Sequence, residues 1–170
     1  TNEINTIIHA GDLSAASVLK NTITPNYQGE IYIVCGNIGD KVSLKEVAAN
    51  YPNVHYFFSG EGKFTIDNKK IFLTHYPEIA EEAFSTGLYD LVIHGHTHKS
   101  YVEKRGNAVL LNPGTAGGLY NNPTFSVYDT ALGKGNIIKL KRKKREFPRG
   151  RTFLGHLSTA ISVKKKKKKI

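Results

Sequence analysis

The sequence of 170 residues has a single cysteine, Cys35, and no apolar run near the roughly 20 residues that a membrane-spanning helix needs. One cysteine excludes an internal disulfide, and its place in an apolar, strand-like run favours a reducing, cytoplasmic setting. The first residues lack the pattern of a signal peptide. With 39% hydrophobic residues, the composition predicts one soluble domain with a sizeable core and no membrane span.

Acidic residues are almost absent from one end of the chain. Residues 139–170 contain 14 of the 24 Lys and Arg residues but only one acid, so they carry a charge of +13, whereas residues 1–138 carry −3. We therefore predict a domain over residues 1–140 and a basic tail over residues 141–170 that is disordered or foreign to the domain. Such a tail would bind polyanions nonspecifically and in a salt-sensitive way. The high overall charge does not indicate a nucleic-acid-binding domain.

Histidine is also scarce, yet three of the seven histidines lie within five positions, at His94, His96 and His98. They follow a Leu-Val-Ile run that is typical of a buried strand, and Gly95 allows a sharp turn where that strand ends. In extended backbone the side chains of His96 and His98 would point to opposite sides, so the turn must bend if both are to reach one centre. The pattern predicts a metal or phosphate site, and the alternative is a polar turn with incidental histidines.

Three more polar residues directly follow apolar, strand-like runs, namely Asp12, Asn37 and His75. Taken alone, each has a simpler explanation as a turn residue, a helix cap or a structural histidine. Together they predict convergence at strand ends, the usual place for ligands in open α/β sheets. A carboxylate, an amide and imidazoles suit a divalent ion such as Mn²⁺, Zn²⁺ or Fe²⁺, and two such ions could activate a water and clamp a phosphate. The candidate metal ligands are Asp12, Asn37, His75, His96 and His98, and Asn37 is also a candidate substrate-binding residue.

Apolar periodicity and turn residues predict strands that alternate with helices early in the chain and strands that come as hairpins later. This mixture indicates an α/β fold in which a two-sheet sandwich is flanked by helices. Strands are expected at residues 3–9, 31–35, 54–58, 63–67, 70–74, 89–94, 100–104, 108–111, 124–129 and 136–140. Helices are expected at residues 14–22, 43–51 and 77–86.

Five short phrases together resemble the calcineurin-like metallophosphoesterases, and in particular their small phosphodiesterase branch, which also contains the retromer scaffold subunit. The resemblance extends over about residues 4–140. It implies a two-sheet sandwich flanked by helices and hydrolysis of phosphoesters by a metal-activated water, with Mn²⁺ the foremost ion and Zn²⁺, Fe²⁺ or Ni²⁺ as alternatives. The phrases are Ile8–Asp12, Cys35–Asn37, Leu73–His75, Gly87–His98 and Leu111–Thr115.

The same resemblance implies a role for each candidate ligand. Asp12 would be the carboxylate that bridges two ions. Asn37, His75 and His96 would complete the shell of the second ion, while His98 would reach back to the first.

The chain departs from the family pattern at three places. The family begins with a strand that ends in Asp-x-His, and no Asp-x-His occurs in this sequence, so we expect that strand and the helix after it to be missing. The first ion would then keep only Asp12 and His98. In addition, Ile38 stands where some members have a histidine acid, and Tyr76 replaces a common glycine.

Two functions follow from these observations. The first is a metal-dependent phosphodiesterase, with activity reduced by the loss of Asp-x-His. The alternative is a noncatalytic metallophosphoesterase-fold scaffold that binds other proteins, and a third possibility is nucleic-acid binding through the tail.

Overall fold

Two β-sheets and three helical segments make up the fold in the computed structural model, which describes residues 4–141 and the backbone of residues 160–164. The helical segments are α1 (Ala16–Val18, continued by a π-helical turn over Leu19–Ile23), α2 (Lys41–Ala48) and α3 (Pro77–Ser85). The strands are β1 (Ile4–His9), β2 (Glu30–Val34), β3 (Val54–Phe57), β4 (Glu61–Ile66), β5 (Lys69–Thr74), β6 (Leu91–Ile93), β7 (Tyr101–Arg105), β8 (Ala108–Asn112), β9 (Thr124–Asp129), β10 (Lys134–Lys139) and β11 (Ala160–Lys164).

The two sheets have the strand orders β10-β9-β11-β1-β2-β3 and β4-β5-β6-β8-β7. Strands β1, β2 and β3 are parallel to one another in the first sheet, and β5, β6 and β8 are parallel in the second. Parallel pairing requires crossover connections, which the early helices and loops supply. The carboxyl ends of these parallel strands are therefore gathered at one edge of each sheet.

Three layers of apolar side chains hold the fold together. The inner faces of the sheets pack against each other through residues such as Ile8 and Leu73, both fully buried. The outer face of the first sheet, with Ile33, packs on α1 and α2, and the outer face of the second, with Val92, packs on α3. Each fully buried side chain of this kind stabilises the fold by about 1.5–3 kcal/mol. The predicted two-sheet sandwich flanked by helices is confirmed.

The second helix begins earlier than its capping motif predicts. The Ser-Leu-Lys-Glu pattern places the start at Ser43, but α2 begins at Lys41 and Asp40 is the N-cap. One carboxylate oxygen of Asp40 accepts from the N–H groups of Val42 (2.9 Å) and Ser43 (3.1 Å). The Ser43 hydroxyl donates to the other oxygen at 2.7 Å, and these bonds lower the pKa of Asp40. Serine and aspartate cap helices equally well, so sequence alone does not choose between them.

The structure differs from the predicted tail at residues 160–164. These residues form β11, which lies between β9 and β1 and pairs antiparallel with β1 and parallel with β9. The sequence predicts them to lie outside the domain, because their apolar positions have no clear period. A strand completes the backbone hydrogen bonds of its neighbours whatever side chains it carries, so periodicity does not reveal it. The rest of the predicted tail, residues 142–159 and 165–170, lies outside the described residues.

None of the three helical segments in the described part of the chain is long and apolar enough to cross a membrane.

Candidate metal centre

Four of the five predicted ligands meet where parallel strands of the two sheets end. Asp12 and Asn37 lie just beyond β1 and β2 in the first sheet. His75 directly follows β5, and His96 lies in the turn after β6, both in the second sheet. Because the inner faces of the sheets pack together, the turns at their carboxyl ends are brought side by side.

Two glycines allow these turns to approach closely. Gly11 has a φ of +95°, and a Cβ at this position would overlap the ring of His75. A Cβ on Gly36 would overlap the carboxylate and the backbone N–H of Asp12. Any side chain at either position would therefore push the candidate ligands apart.

The side chains of these residues lie within hydrogen-bonding distance of one another. Asn37 Oδ1 is 2.9 Å from His75 Nε2 and 3.0 Å from His96 Nδ1. The two imidazole nitrogens are themselves 3.2 Å apart. Asp12 Oδ1 is 3.5 Å from His75 Nε2 and accepts from the N–H of Ile38 at 2.9 Å.

The protonation of His75 follows from its other ring nitrogen. Nδ1 lies 2.8 Å from the carbonyl oxygen of Ala10, which can only accept, so Nδ1 carries the proton. Burial lowers the pKa of His75, which favours the neutral ring. Its Nε2 therefore presents a lone pair toward Asn37 Oδ1 and Asp12 Oδ1, which are also acceptors. Three acceptors that face one another form an environment that suits a cation.

The donor set fits a divalent ion only when the amide is included. No group of three or more His, Cys, Asp or Glu side chains within residues 4–141 is arranged to hold a metal ion as it stands. Asn37 Oδ1, His75 Nε2 and His96 Nδ1 are separated by 2.9–3.2 Å. Ligand atoms about 2.1 Å from an octahedral ion lie about 3.0 Å apart, so these three atoms match one face of such a shell.

His98 does not join the other four residues in the structure. Its Nδ1 lies 3.4 Å from the carbonyl oxygen of Leu119, and its ring is tilted against that of Tyr120 with centroids 5.6 Å apart. Of the described contacts, no hydrogen bond links His98 to Asp12, Asn37 or His96. It is still close enough for its charge to lower the pKa of His75 slightly.

Two buried histidines near the site were not assigned a role from sequence. His9 is almost fully buried, and burial lowers its pKa to about 4, although the charge of Asp12 opposes the shift. Burial likewise lowers the pKa of His94 to about 4. His94 Nε2 lies 2.7 Å from the hydroxyl of Tyr101, which fixes its ring beneath the histidine turn.

Asn112 is the other residue whose role the sequence did not reveal. Its side-chain amide donates to the carbonyl of Gly95 (2.9 Å) and to the hydroxyl of Thr97 (3.0 Å). Its oxygen accepts from the N–H of Gly114 at 2.9 Å, and the side chain is completely buried. Asn112 thus ties the histidine turn to the end of β8. The sequence signal for this role was its position at a strand end, like the predicted ligands, directly before a Pro-Gly turn.

Comparison with known proteins assigns the family. A family model described as the calcineurin-like phosphoesterase superfamily domain matches residues 1–132. Phosphodiesterase MJ0936 of Methanocaldococcus jannaschii is 36% identical over 134 residues, which cover 75% of this chain and 77% of that protein. This chain therefore belongs to the calcineurin-like phosphoesterase superfamily, as the sequence motifs predicted.

Solved structures agree with this assignment. The structure of an archaeal phosphodiesterase superposes with a TM-score of 0.71 at 32% identity, covering 80% of this chain and 83% of that one. Vacuolar protein sorting 29 of Cryptosporidium parvum superposes with a TM-score of 0.51 at 23% identity, covering 85% and 84% of the two chains. The first supports the small phosphodiesterase branch, and the second shows the shared fold.

Proposed function

We propose that this chain is a metal-dependent phosphodiesterase whose ion is held by Asn37, His75 and His96, with Asp12 beside them. The observation that carries the proposal is the convergence of acceptor atoms around His75 Nε2, whose proton is held on the opposite nitrogen by Ala10. The homology of this chain to a named phosphodiesterase supports hydrolysis of phosphoesters, and the family generally uses divalent metals. A mixed oxygen and nitrogen donor set is compatible with Mn²⁺, our first choice, and with Zn²⁺, Fe²⁺ or Ni²⁺.

Each residue around the proposed ion would have a different role. A bound divalent ion would supply Lewis-acid polarisation of a phosphoryl oxygen and of a water. The carboxylate of Asp12 would lie next to the ion, with one of its oxygens oriented by the N–H of Ile38. The amide of Asn37 is exposed to solvent and can also contact the phosphate of the substrate. His98, on the other side of the turn, would need to move to bind the same ion or would serve a second one.

The site carries no proton donor at the position next to Asn37. The apolar side chain of Ile38 cannot protonate a leaving group, so we expect the chain to prefer esters whose leaving group departs as an anion. A nitrophenyl phosphodiester is such an ester. Its hydrolysis is the assay of choice.

Metal binding and hydrolysis are tested together in the 170-residue chain. After chelation, Mn²⁺ affinity is measured from the EPR signal of the free ion, and turnover from release of nitrophenol. His96→Ala should weaken Mn²⁺ binding by more than about 100-fold, because even residues behind the ligands typically contribute 10- to 100-fold. The control is His55→Ala, which removes a half-exposed histidine paired with Glu30 at 2.6 Å on strand β3.

Each outcome bears on the assignment. Equal Mn²⁺ affinity in the His96→Ala variant and the parent chain would contradict the metal centre. A folded parent chain that takes up no Mn²⁺ and hydrolyses no ester would favour the noncatalytic scaffold. This chain shares its fold with vacuolar protein sorting 29.

We further propose that the basic residues beyond position 138 bind polyanions nonspecifically, because they carry a charge of +13. Affinity for a mixed-sequence oligonucleotide should fall steeply as salt is raised from 50 to 200 mM. The same affinity at both salt concentrations would contradict polyanion binding by these residues.

A buried Cys35 is compatible with a reducing, cytoplasmic setting.

A further inference from the structure

Two exposed tyrosines lie next to histidines at the candidate metal centre. The ring of Tyr76 lies 5.0 Å from that of His75 and 5.2 Å from that of His96, centroid to centroid. The ring of Tyr120 lies 5.6 Å from that of His98. The two rings therefore lie beside different histidines of the same turn, and both are open to solvent, Tyr76 with 38% and Tyr120 with 86% of its surface exposed.

Tyr120 is held in an unfavourable backbone conformation. Its φ is +64°, a left-handed conformation that costs a residue with a side chain about 1–2 kcal/mol. The loop around it is fixed by a hydrogen bond from the N–H of Asn121 to the carbonyl of Leu119 (2.8 Å), and that same carbonyl faces His98. Almost none of the Tyr120 ring is buried, so packing within the chain does not account for this arrangement. Strain of this kind concentrates at ligand-binding positions.

Tyr76 is oriented by its neighbours in sequence. It immediately precedes Pro77, which keeps its backbone extended, with φ −94° and ψ 135°. It occupies the N-cap of α3, where a short polar side chain would be usual, and makes no capping hydrogen bond. Its ring instead leans over His75 and His96.

We infer that Tyr76 and Tyr120 bind an aromatic ring carried by the substrate, so that the natural substrates are phosphodiesters of nucleosides or of other aromatic alcohols. This inference rests on the proposed function, which places the phosphate at the metal centre, next to the histidine turn that both rings contact. A base stacked on an aromatic side chain contributes severalfold to about 100-fold in affinity, whatever the base. Exposed aromatic rings close to the phosphate would favour esters with a flat group over alkyl esters.

The test compares two phosphates that differ only in the base. Binding of adenosine 5′-monophosphate and of ribose 5-phosphate to the Mn²⁺-loaded 170-residue chain is measured by titration calorimetry. We expect the nucleotide to bind about tenfold more tightly than the sugar phosphate. Tyr120→Asn removes the ring but keeps a residue that tolerates positive φ, and it should reduce this ratio severalfold. Tyr76→Ala should do the same, and Tyr120→Phe should preserve the ratio.

Leu132→Ala is the matched control for loss of an exposed apolar side chain. Leu132 is 72% exposed and follows the last residue of β9, Asp129. Asp129 pairs with Lys164, and Lys164 pairs on its other side with Ile4 at the start of β1. Leu132 therefore lies at the opposite end of the sheet from Asp12, and its substitution should leave the ratio unchanged.

Failure of this inference is distinguishable from failure of the proposed function. If ribose 5-phosphate binds and the nucleotide binds no more tightly, the aromatic preference is wrong and the metal centre stands. If the ratio is high but unchanged in both tyrosine variants, the base is held elsewhere and the two residues are not responsible. If neither phosphate binds a folded, Mn²⁺-treated chain, the proposed function fails and this inference with it.

Discussion

Replacing Asn112 by alanine tests whether one buried side chain holds the histidine turn. The substitution removes three hydrogen bonds of 2.9–3.0 Å, to the carbonyl of Gly95, the hydroxyl of Thr97 and the N–H of Gly114, and a longer contact of 3.5 Å to His94 Nδ1. Each such bond contributes about 1 kcal/mol net, and the buried N–H of Gly114 is left without its acceptor, which costs about 1 kcal/mol more. We therefore expect the free energy of unfolding to fall by about 3–4 kcal/mol.

The predicted loss is large enough to measure by thermal unfolding. For a domain of this size 1 kcal/mol corresponds to about 2–4 °C, so the Tm of the Asn112→Ala variant should fall by about 10 °C. The control is Asn50→Ala, in which an exposed asparagine loses its hydrogen bond to the carbonyl of Glu46. That variant should change by less than about 1 kcal/mol, because water replaces the lost partner.

Metal binding provides a second measurement on the same variant. At a temperature where Asn112→Ala is still folded, its affinity for Mn²⁺ should be about tenfold lower, because residues that orient ligands contribute 10- to 100-fold. A Tm equal to that of the Asn50→Ala control, with unchanged Mn²⁺ affinity, would refute the assignment of Asn112 as the residue that holds the turn.

Three further predictions concern other parts of the molecule. Gly36→Ala should weaken Mn²⁺ binding while the chain still folds, because the added methyl group meets the carboxylate of Asp12; the measurement is Mn²⁺ titration. Ser162→Pro should lower the Tm markedly, because it removes a backbone N–H from β11, which pairs on both sides; the measurement is thermal unfolding by circular dichroism. The free energy of unfolding should fall as the pH drops from 6.5 toward 4. Burial lowers the pKa of His94 to about 4, so in this range only the unfolded state takes up its proton. Denaturant unfolding should show a loss of about 3 kcal/mol from this group.

Each of these experiments has a matched comparison. Gly60→Ala strains the backbone at φ +89° in open space, so it should reduce stability without affecting Mn²⁺ binding. A Ser162→Pro variant as stable as the parent would show that β11 does not contribute to the sheet. His94→Gln should reduce the pH dependence between pH 6.5 and 4 but not abolish it, because burial also lowers the pKa of His9 to about 4. An unchanged slope would mean that His94 does not contribute.

The sequence predicted the strand ends well because the signal there is local. Apolar runs such as the one from Ile71 to Leu73 end at a polar residue, and the same pattern recurs at Asp12, Asn37 and His96. Apolar runs of this kind are typical of parallel strands buried on both faces, and the carboxyl ends of such strands converge once the sheets pack. Four candidate ligands could therefore be placed together without knowledge of the pairing order.

The place of β11 and the role of Asn112 depend on contacts between distant parts of the chain. Strand β11 pairs with residues about 155 positions earlier, and nothing in its composition specifies that neighbour. Asn112 contacts Gly95 and Thr97, which are 17 and 15 residues away. An asparagine before Pro-Gly is common in turns, so its use as a hydrogen-bonding anchor was indistinguishable from ordinary turn chemistry.

Backbone conformation explains why His96 joins the other candidate ligands at the histidine turn and His98 does not. Six residues other than glycine have positive φ in the described part of the chain, and two of them form the Asp67-Asn68 hairpin turn, where that conformation is usual. The other four all lie in or beside the candidate site: Asp12, His96, His98 and Tyr120. The sequence required a bend between His96 and His98. Histidine is enriched in left-handed backbone, but most histidines do not adopt it, so the direction of the bend could not be foreseen. At about 1–2 kcal/mol each, the conformations of Asp12, His96 and His98 persist because the packed sandwich and its hydrogen bonds impose them, so the fold itself shapes this part of the candidate site.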